Sequence, residues 1–150
     1  MRVAFDLGDV FHPGASDTDN ALALQALLEA LIAINRVYLR RYRGVPPLYR
    51  SGVRYGRTQV WDSIPDLLAR RYGDCKSLTA MYVAQAREAK GDKAAKPVFR
   101  FARNTQTGQK DFHILVWEPG KPKNQEFEDP SRRLGMVQYH QQRGLWLFPQ

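Results

Sequence analysis

The hydrophobic period of this chain changes once, and that change constrains the fold more than any other feature. Up to about residue 91 apolar residues recur at helical spacing; from residue 97 they alternate. Leu24, Leu27, Leu28, Leu31, Asn35, Tyr38 and Tyr42 form one stripe of a helix that starts after Ser16 and runs to about Tyr42. Gln25, Glu29, Arg36, Arg40 and Arg43 form the opposite stripe, so the helix is amphipathic and packs on one side. Ser16 followed by Asp19 resembles a capping box, with Asp in place of the usual Glu or Gln. Gly44, Pro46 and Pro47 end this helix. A short helix is expected between Trp61 and Arg71, capped by Asp62 or Ser63 and carrying Pro65 in its first turn. A third starts after Asp74, places Leu78, Met81, Tyr82, Ala86 and Ala89 on its apolar positions, and ends near Gly91.

Strands are expected after that point. Residues 97–102 put Phe99 and Phe101 on one face. Residues 111–117 put Phe112, Ile114 and Val116 on one face and His113, Leu115 and Trp117 on the other. Residues 125–129 form a third strand, stopped by Pro130, which cannot donate to a ladder. Residues 104–110 and 118–123 are the turns between them. A short β-like run also covers residues 3–7, followed by a loop through Gly8, His12, Pro13 and Gly14. Helices first and antiparallel strands afterwards predict an α+β fold, with N-terminal helices packed on an antiparallel sheet. At 150 residues, with no internal repeat, low-complexity segment or linker, the expectation is one domain over residues 1–150.

Composition narrows the function classes. Hydrophobic residues at 43% and charged residues at 25% describe a soluble globular chain. One cysteine excludes an internal disulfide framework and suits a reducing compartment. Residues 1–6 hold no apolar run of signal-peptide length, and the apolar stretch 21–34, interrupted by Gln25 and Glu29, is too short to span a bilayer. The expectation is a protein that is neither secreted by a signal peptide nor in a membrane. Cys75 and the scattered His12, His113 and His140 show no ligand spacing, so neither a metal nor a cofactor is expected.

The net charge of +8 favours polyanionic surroundings or an acidic partner. From Arg36 to Arg57 there are seven arginines and no acid, interleaved with Tyr38, Tyr42, Tyr49 and Tyr55. Arginine with aromatics can bind nucleic acid through phosphate contacts and stacking. The same pattern describes a solvated helix face running into a basic loop whose tyrosines pack inward, and no recognised nucleic-acid motif accompanies it. The tail, with Tyr139, Arg143, Trp146 and Phe148, either packs back on the core or docks elsewhere; three large aromatics favour packing.

The chemistry-bearing stretch is Arg71-Tyr72-Gly73-Asp74-Cys75-Lys76-Ser77. Asp74 is a good N-cap type, and Gly73 allows a sharp turn before it. Cys75 then sits in the first helical turn, where unpaired N–H groups and the helix dipole favour a thiolate. A free cysteine has a pKa of about 8.5, and such placements lower it to roughly 3.5–7.5. The plain alternative is an inert buried cysteine. A hairpin centred on Lys121 would place Trp117 opposite Gln125, Leu115 opposite Phe127 and His113 opposite Asp129. Asp129 would then fix the tautomer of His113, whose other nitrogen would be free to take a thiol proton. A strand His beside an Asp is otherwise a common polar pair.

Residues 72–80 (Tyr-Gly-Asp-Cys-Lys-Ser-Leu-Thr-Ala), Phe112-His113, Glu128-Asp129-Pro130-Ser131 and Leu134-Gly135-Met136 resemble the transglutaminase-like superfamily. The similarity is closest to the small transglutaminase-like proteins of tailed bacteriophages and prophages. Residues 48–55 and 61–67 also fit that subgroup, so the resemblance covers residues 35–136. It implies a papain-like core and a Cys-His-Asp triad: Cys75 as nucleophile, His113 as general base and acid, Asp129 as orienter. It implies acyl transfer or hydrolysis at a carboxamide through a thioester, on a protein or peptide substrate such as a phage structural protein. The setting would be the cytoplasm of a bacterial host or a virion. The alternative is a virion or assembly protein that keeps the fold without catalysis. Many members carry an acid two positions after the cysteine, where this chain has Ser77, which puts the local hydrogen bonding in question. No upstream oxyanion residue can be assigned; the Cys75 N–H would supply one donor, and Tyr55 and Trp61 are candidate substrate-binding residues. The calcium-binding elements of animal transglutaminases have no counterpart.

Overall fold

A computed structural model describes residues 14–103, 110–137 and 146–147. The β-like run at residues 3–7, the loop with His12, turn residues 104–109, and Tyr139, His140, Arg143 and Phe148 lie outside the described residues. The described fold is mixed α+β. Its helices are α1 (Asp17–Arg41), α2 (Ile64–Arg70), α3 (Cys75–Ala89) and the short α4 (Pro130–Arg133). Its strands are β1 (Arg54–Tyr55), β2 (Tyr72–Gly73), β3 (Lys96–Arg103), β4 (Lys110–Trp117), β5 (Phe127–Glu128) and β6 (Trp146–Leu147).

Ser16 caps α1 by accepting from the Asp19 N–H at 3.1 Å. Asp19 does not return the bond to the Ser16 backbone; its carboxylate accepts from the Ser16 hydroxyl at 2.7 Å. The apolar stripe packs along α3, burying Leu24, Leu28, Leu31 and Ile32 against a core shared with Leu78, Met81, Phe99, Ile114 and Val116. Each such side chain, fully buried, contributes roughly 1.5–3 kcal/mol. Tyr42 departs from the expected stripe and is exposed. It is the C-cap, at φ −117° and ψ 92°, so its side chain no longer follows the helical period. Instead it stacks on Tyr38, centroids 4.6 Å apart. The helix outruns the apolar stretch 21–34, and its 25 residues are long and apolar enough to cross a membrane by length and composition alone. Here the Leu24–Leu28–Ile32 side is buried in the protein core.

Strands β5-β4-β3-β6 form an antiparallel sheet in that order. β3 and β4 pair over eight residues, with Phe99 opposite Ile114 and Arg100 opposite His113. β6 adds to the far edge, with Leu147 opposite Phe99. Strand β5 corrects the expected hairpin. It spans two residues rather than 125–129, and it pairs Glu128 with Val116 and Phe127 with Trp117. Thus Leu115 is not opposite Phe127, nor Trp117 opposite Gln125. The cause is the turn: a 3-10 turn over Lys123–Gln125 lengthens it, with the Glu118 N–H bonded to the Glu126 carbonyl at 2.7 Å. The slip is two residues. A slip of one would have turned every side chain to the other face, but a slip of two leaves each on its own face.

Strands β1 and β2 pair in parallel, Arg54 with Tyr72 and Tyr55 with Gly73, and α2 is the crossover between them. Two-residue strands carry no alternation, so the sequence pattern does not reveal them. Gly73 has an ordinary backbone conformation. Glycine is required there by a close approach: a Cβ would lie 2.6 Å from Leu67 Cδ1.

Candidate active site

α3 starts where the sequence pattern places it. Asp74 is the N-cap, and its carboxylate accepts from the Lys76 N–H at 3.1 Å. Cys75 is the first helical residue, so its own N–H is one of the donors an α-helix leaves unpaired. The thiol is nearly buried, at 8% exposure.

His113 lies on the central part of β4 and is 9% exposed. Its Nε2 is 3.0 Å from Asp129 Oδ2. The Cys75 thiol lies within interaction range of the same ring. Because Nε2 is engaged by the carboxylate, the nitrogen left for the thiol is Nδ1. Burial alone would lower the imidazole pKa. The interactions with Asp129 and Cys75 outweigh it, and the pKa is pushed up to about 9. A protonated imidazole beside the Asp129 carboxylate is therefore favoured at neutral pH.

Asp129 is not directly opposite His113 in a ladder, because β5 stops at Glu128. It N-caps α4: Oδ1 accepts from the Arg132 N–H at 3.0 Å while Oδ2 holds the imidazole. One carboxylate is thus fixed by backbone on one side and orients the histidine on the other. The segment before it is clamped as well. Glu128 accepts from the Tyr49 hydroxyl in a short hydrogen bond and pairs with Arg133 at 3.3 Å, whose guanidinium lies over the Tyr49 ring. Burial first, then Glu128, pushes the Tyr49 hydroxyl far above its ordinary range, so it stays a donor.

Tyr55 is half-buried, and its backbone is seated by a bond to the Leu134 carbonyl at 2.9 Å. Burial and then the charge of Cys75 raise its pKa, which places the ring within electrostatic reach of the thiol. Trp61 is half-buried, 6.0 Å from the Lys76 ammonium. Lys76 is a buried residue that the periodicity does not single out. It pairs with Asp74 and donates to the Thr58 carbonyl at 3.2 Å, tying the residue 58–61 segment to the start of α3. Ser77, in place of an acid, accepts from the Asp62 N–H at 2.9 Å and holds the same segment from the other side. The signal for both was their spacing after Asp74, which puts one on the helix end and the other on its inner face.

Among the described residues no group of three His, Cys, Asp or Glu side chains is arranged to hold a metal. A cavity of about 210 Å³ opens beside the other end of α3, among Leu39, Tyr42, Tyr49 and Tyr82, and contains none of the Cys75, His113 or Asp129 side chains. No family model, curated protein or solved structure matches this chain.

Proposed function

We propose that the protein is a cysteine-dependent acyltransferase or amidase of the transglutaminase-like kind, built on a papain-like core, with Cys75, His113 and Asp129 as its triad. The observation that carries this reading is that the His113 ring is bonded to the Asp129 carboxylate and lies within interaction range of a thiol at a helix start. The resemblance of residues 35–136 supports the phage or prophage setting, a protein or peptide substrate, and a place in the host cytoplasm or the virion.

In this mechanism the Cys75 thiolate attacks the carbonyl carbon of a carboxamide. The C–S bond forms as the carbonyl π electrons move to oxygen, and the Cys75 N–H donates to that oxyanion. The His113 imidazolium gives its proton to the leaving nitrogen, the C–N bond breaks, and ammonia or an amine departs from a thioester. Water or a second amine then attacks. His113, now neutral, takes its proton, and the thiolate is expelled. Asp129 holds the tautomer throughout. Tyr55 and Trp61 flank the approach.

The test uses the thiol and then turnover. Iodoacetamide at about pH 6 should alkylate Cys75 much faster than a model thiol of pKa about 8.5, which is under about one per cent ionised there. The gain in rate is smaller than the gain in thiolate, because nucleophilicity falls with basicity. His113→Ala should remove most of this low-pH reactivity, and Asp129→Asn should reduce it less. A glutamine-containing peptide, with and without a fluorescent primary amine, separates ammonia release from transamidation. A wild-type alkylation midpoint of about pH 8.5 that His113→Ala leaves unmoved, with neither product formed, gives the reading to a non-catalytic virion protein.

A further inference from the structure

Five arginines are engaged by carboxylates among the described residues. Arg36 and Arg40 engage Glu88, Arg70 engages Asp62, Arg87 engages Glu29, and Arg133 engages Glu128. Arg54, Arg57 and Arg71, like Arg41, Arg43, Arg50 and Arg132, are exposed, and their side chains have no carboxylate partner among the described residues. Arg54, Arg57 and Arg71 all flank the small parallel sheet that leads into Cys75. The Arg54 N–H bonds the Arg71 carbonyl at 3.1 Å, and Arg54 pairs with Tyr72. The Arg71 guanidinium reaches back toward the turn before Arg54, with Nη1 3.6 Å from where a Cβ on Gly52 would sit. Arg57 lies beside Tyr55, whose ring is within electrostatic reach of Cys75. The acids in this part of the chain are engaged: Asp62 with Arg70, Asp74 with Lys76, and exposed Asp66 with the Ser63 hydroxyl.

A second observation points the same way. Arg71 is the one non-glycine residue with positive φ among the described residues, at φ 66° and ψ 6°, where it ends α2. Helices usually place glycine in this left-handed conformation, because a Cβ there is strained. The side chain at that position is an exposed cation whose guanidinium lies beside Gly52, two residues before Arg54.

We propose that Arg54, Arg57 and Arg71 bind an acidic segment of the peptide or protein whose carboxamide reaches Cys75. The inference rests on the catalytic reading above and adds the substrate class to it. Arg71 is four residues before Cys75, at most about 14 Å along an extended backbone. An extended peptide advances about 3.3 Å per residue, so the acidic side chains lie within about four residues of the reacting amide. Guanidinium groups pair carboxylates in two-pronged fashion, and exposed pairs of this kind are weakened by salt.

The test is fluorescence anisotropy of labelled hexaglutamate with the full chain, at about 30 mM and about 300 mM salt. Binding should weaken about tenfold or more between the two. Arg54→Gln/Arg57→Gln/Arg71→Gln should weaken it at least about tenfold at low salt. The triple lysine variant should retain most of it. Arg41→Gln/Arg43→Gln, a similar loss of charge at the end of α1, should change it by about twofold at most. No binding at low salt, or equal loss in the two glutamine variants, overturns the proposal. A single-stranded oligonucleotide of equal charge binding more tightly than hexaglutamate also overturns it, in favour of nucleic acid. Because binding is read without turnover, its failure is distinct from failure of the catalytic reading, which the alkylation of Cys75 reports.

Discussion

The elevated imidazole of His113 makes stability depend on pH in a defined window. Its pKa is raised from an ordinary 6.5 to about 9, with burial opposing and the interactions with Asp129 and Cys75 prevailing. The protonated form therefore favours the folded state. The contribution is fully present below the unfolded pKa and is lost as pH rises through the folded one. A shift of this size corresponds to about 3 kcal/mol at pH 6, about 1.4 kcal/mol at pH 8 and a few tenths at pH 9. Urea denaturation of the wild type and His113→Gln across this range gives the difference directly. Lost packing in the variant adds an offset that does not change with pH, so the two stability curves should converge by about 3 kcal/mol between pH 6 and pH 10. Cys75→Ser removes one of the two sources of the shift and should move the convergence to lower pH. Parallel wild-type and His113→Gln curves over the whole range would refute the ion-pair geometry.

Two further changes test how the site is held. Gly73→Ala puts a methyl group 2.6 Å from Leu67 Cδ1, a side chain with no room to retreat at 0% exposure. It should lower stability by about 1–3 kcal/mol in denaturant melts, and Leu67→Ala in the same chain should recover part of that loss. Ser77→Ala removes the acceptor of the buried Asp62 N–H. It should cost about 1–3 kcal/mol and shift the fluorescence of the neighbouring Trp61, with circular dichroism unchanged.

The elements longest in sequence were the most legible. α1, α3 and the β3–β4 pair lie within two residues of where period and capping residues place them, because seven or more residues vote on each. The parallel pair β1–β2 left no such mark. It is specified by contacts that no local window contains: the crossover through α2, and a glycine at 73 that lets Leu67 close against the start of α3. Tyr72 and Gly73 read equally well as loop residues. Lys76 followed the same rule. Its charge suggests a surface position, yet it is buried because Asp74 serves both as its ion partner and as the helix cap.

The His113–Asp129 contact shows why a wrong register can still lead to the right pair. The expected ladder required Asp129 directly opposite His113; in the fold β5 ends one residue earlier and the register is displaced by two. Parity protects the contact, since two residues along a strand return to the same face. The remaining diagonal separation, about 7–8 Å between backbones, is within the combined reach of an aspartate and a histidine. What the ladder no longer supplies, capping does: Arg132 holds one carboxylate oxygen of Asp129, and Tyr49 and Arg133 hold the residue before it. The position of the Asp129 carboxylate thus depends on the 3-10 turn over Leu48–Arg50 and on α4 more than on the sheet. Tyr49 and Tyr55 come from one stretch, residues 48–55, and reach Glu128, the residue before Asp129, and the surroundings of Cys75.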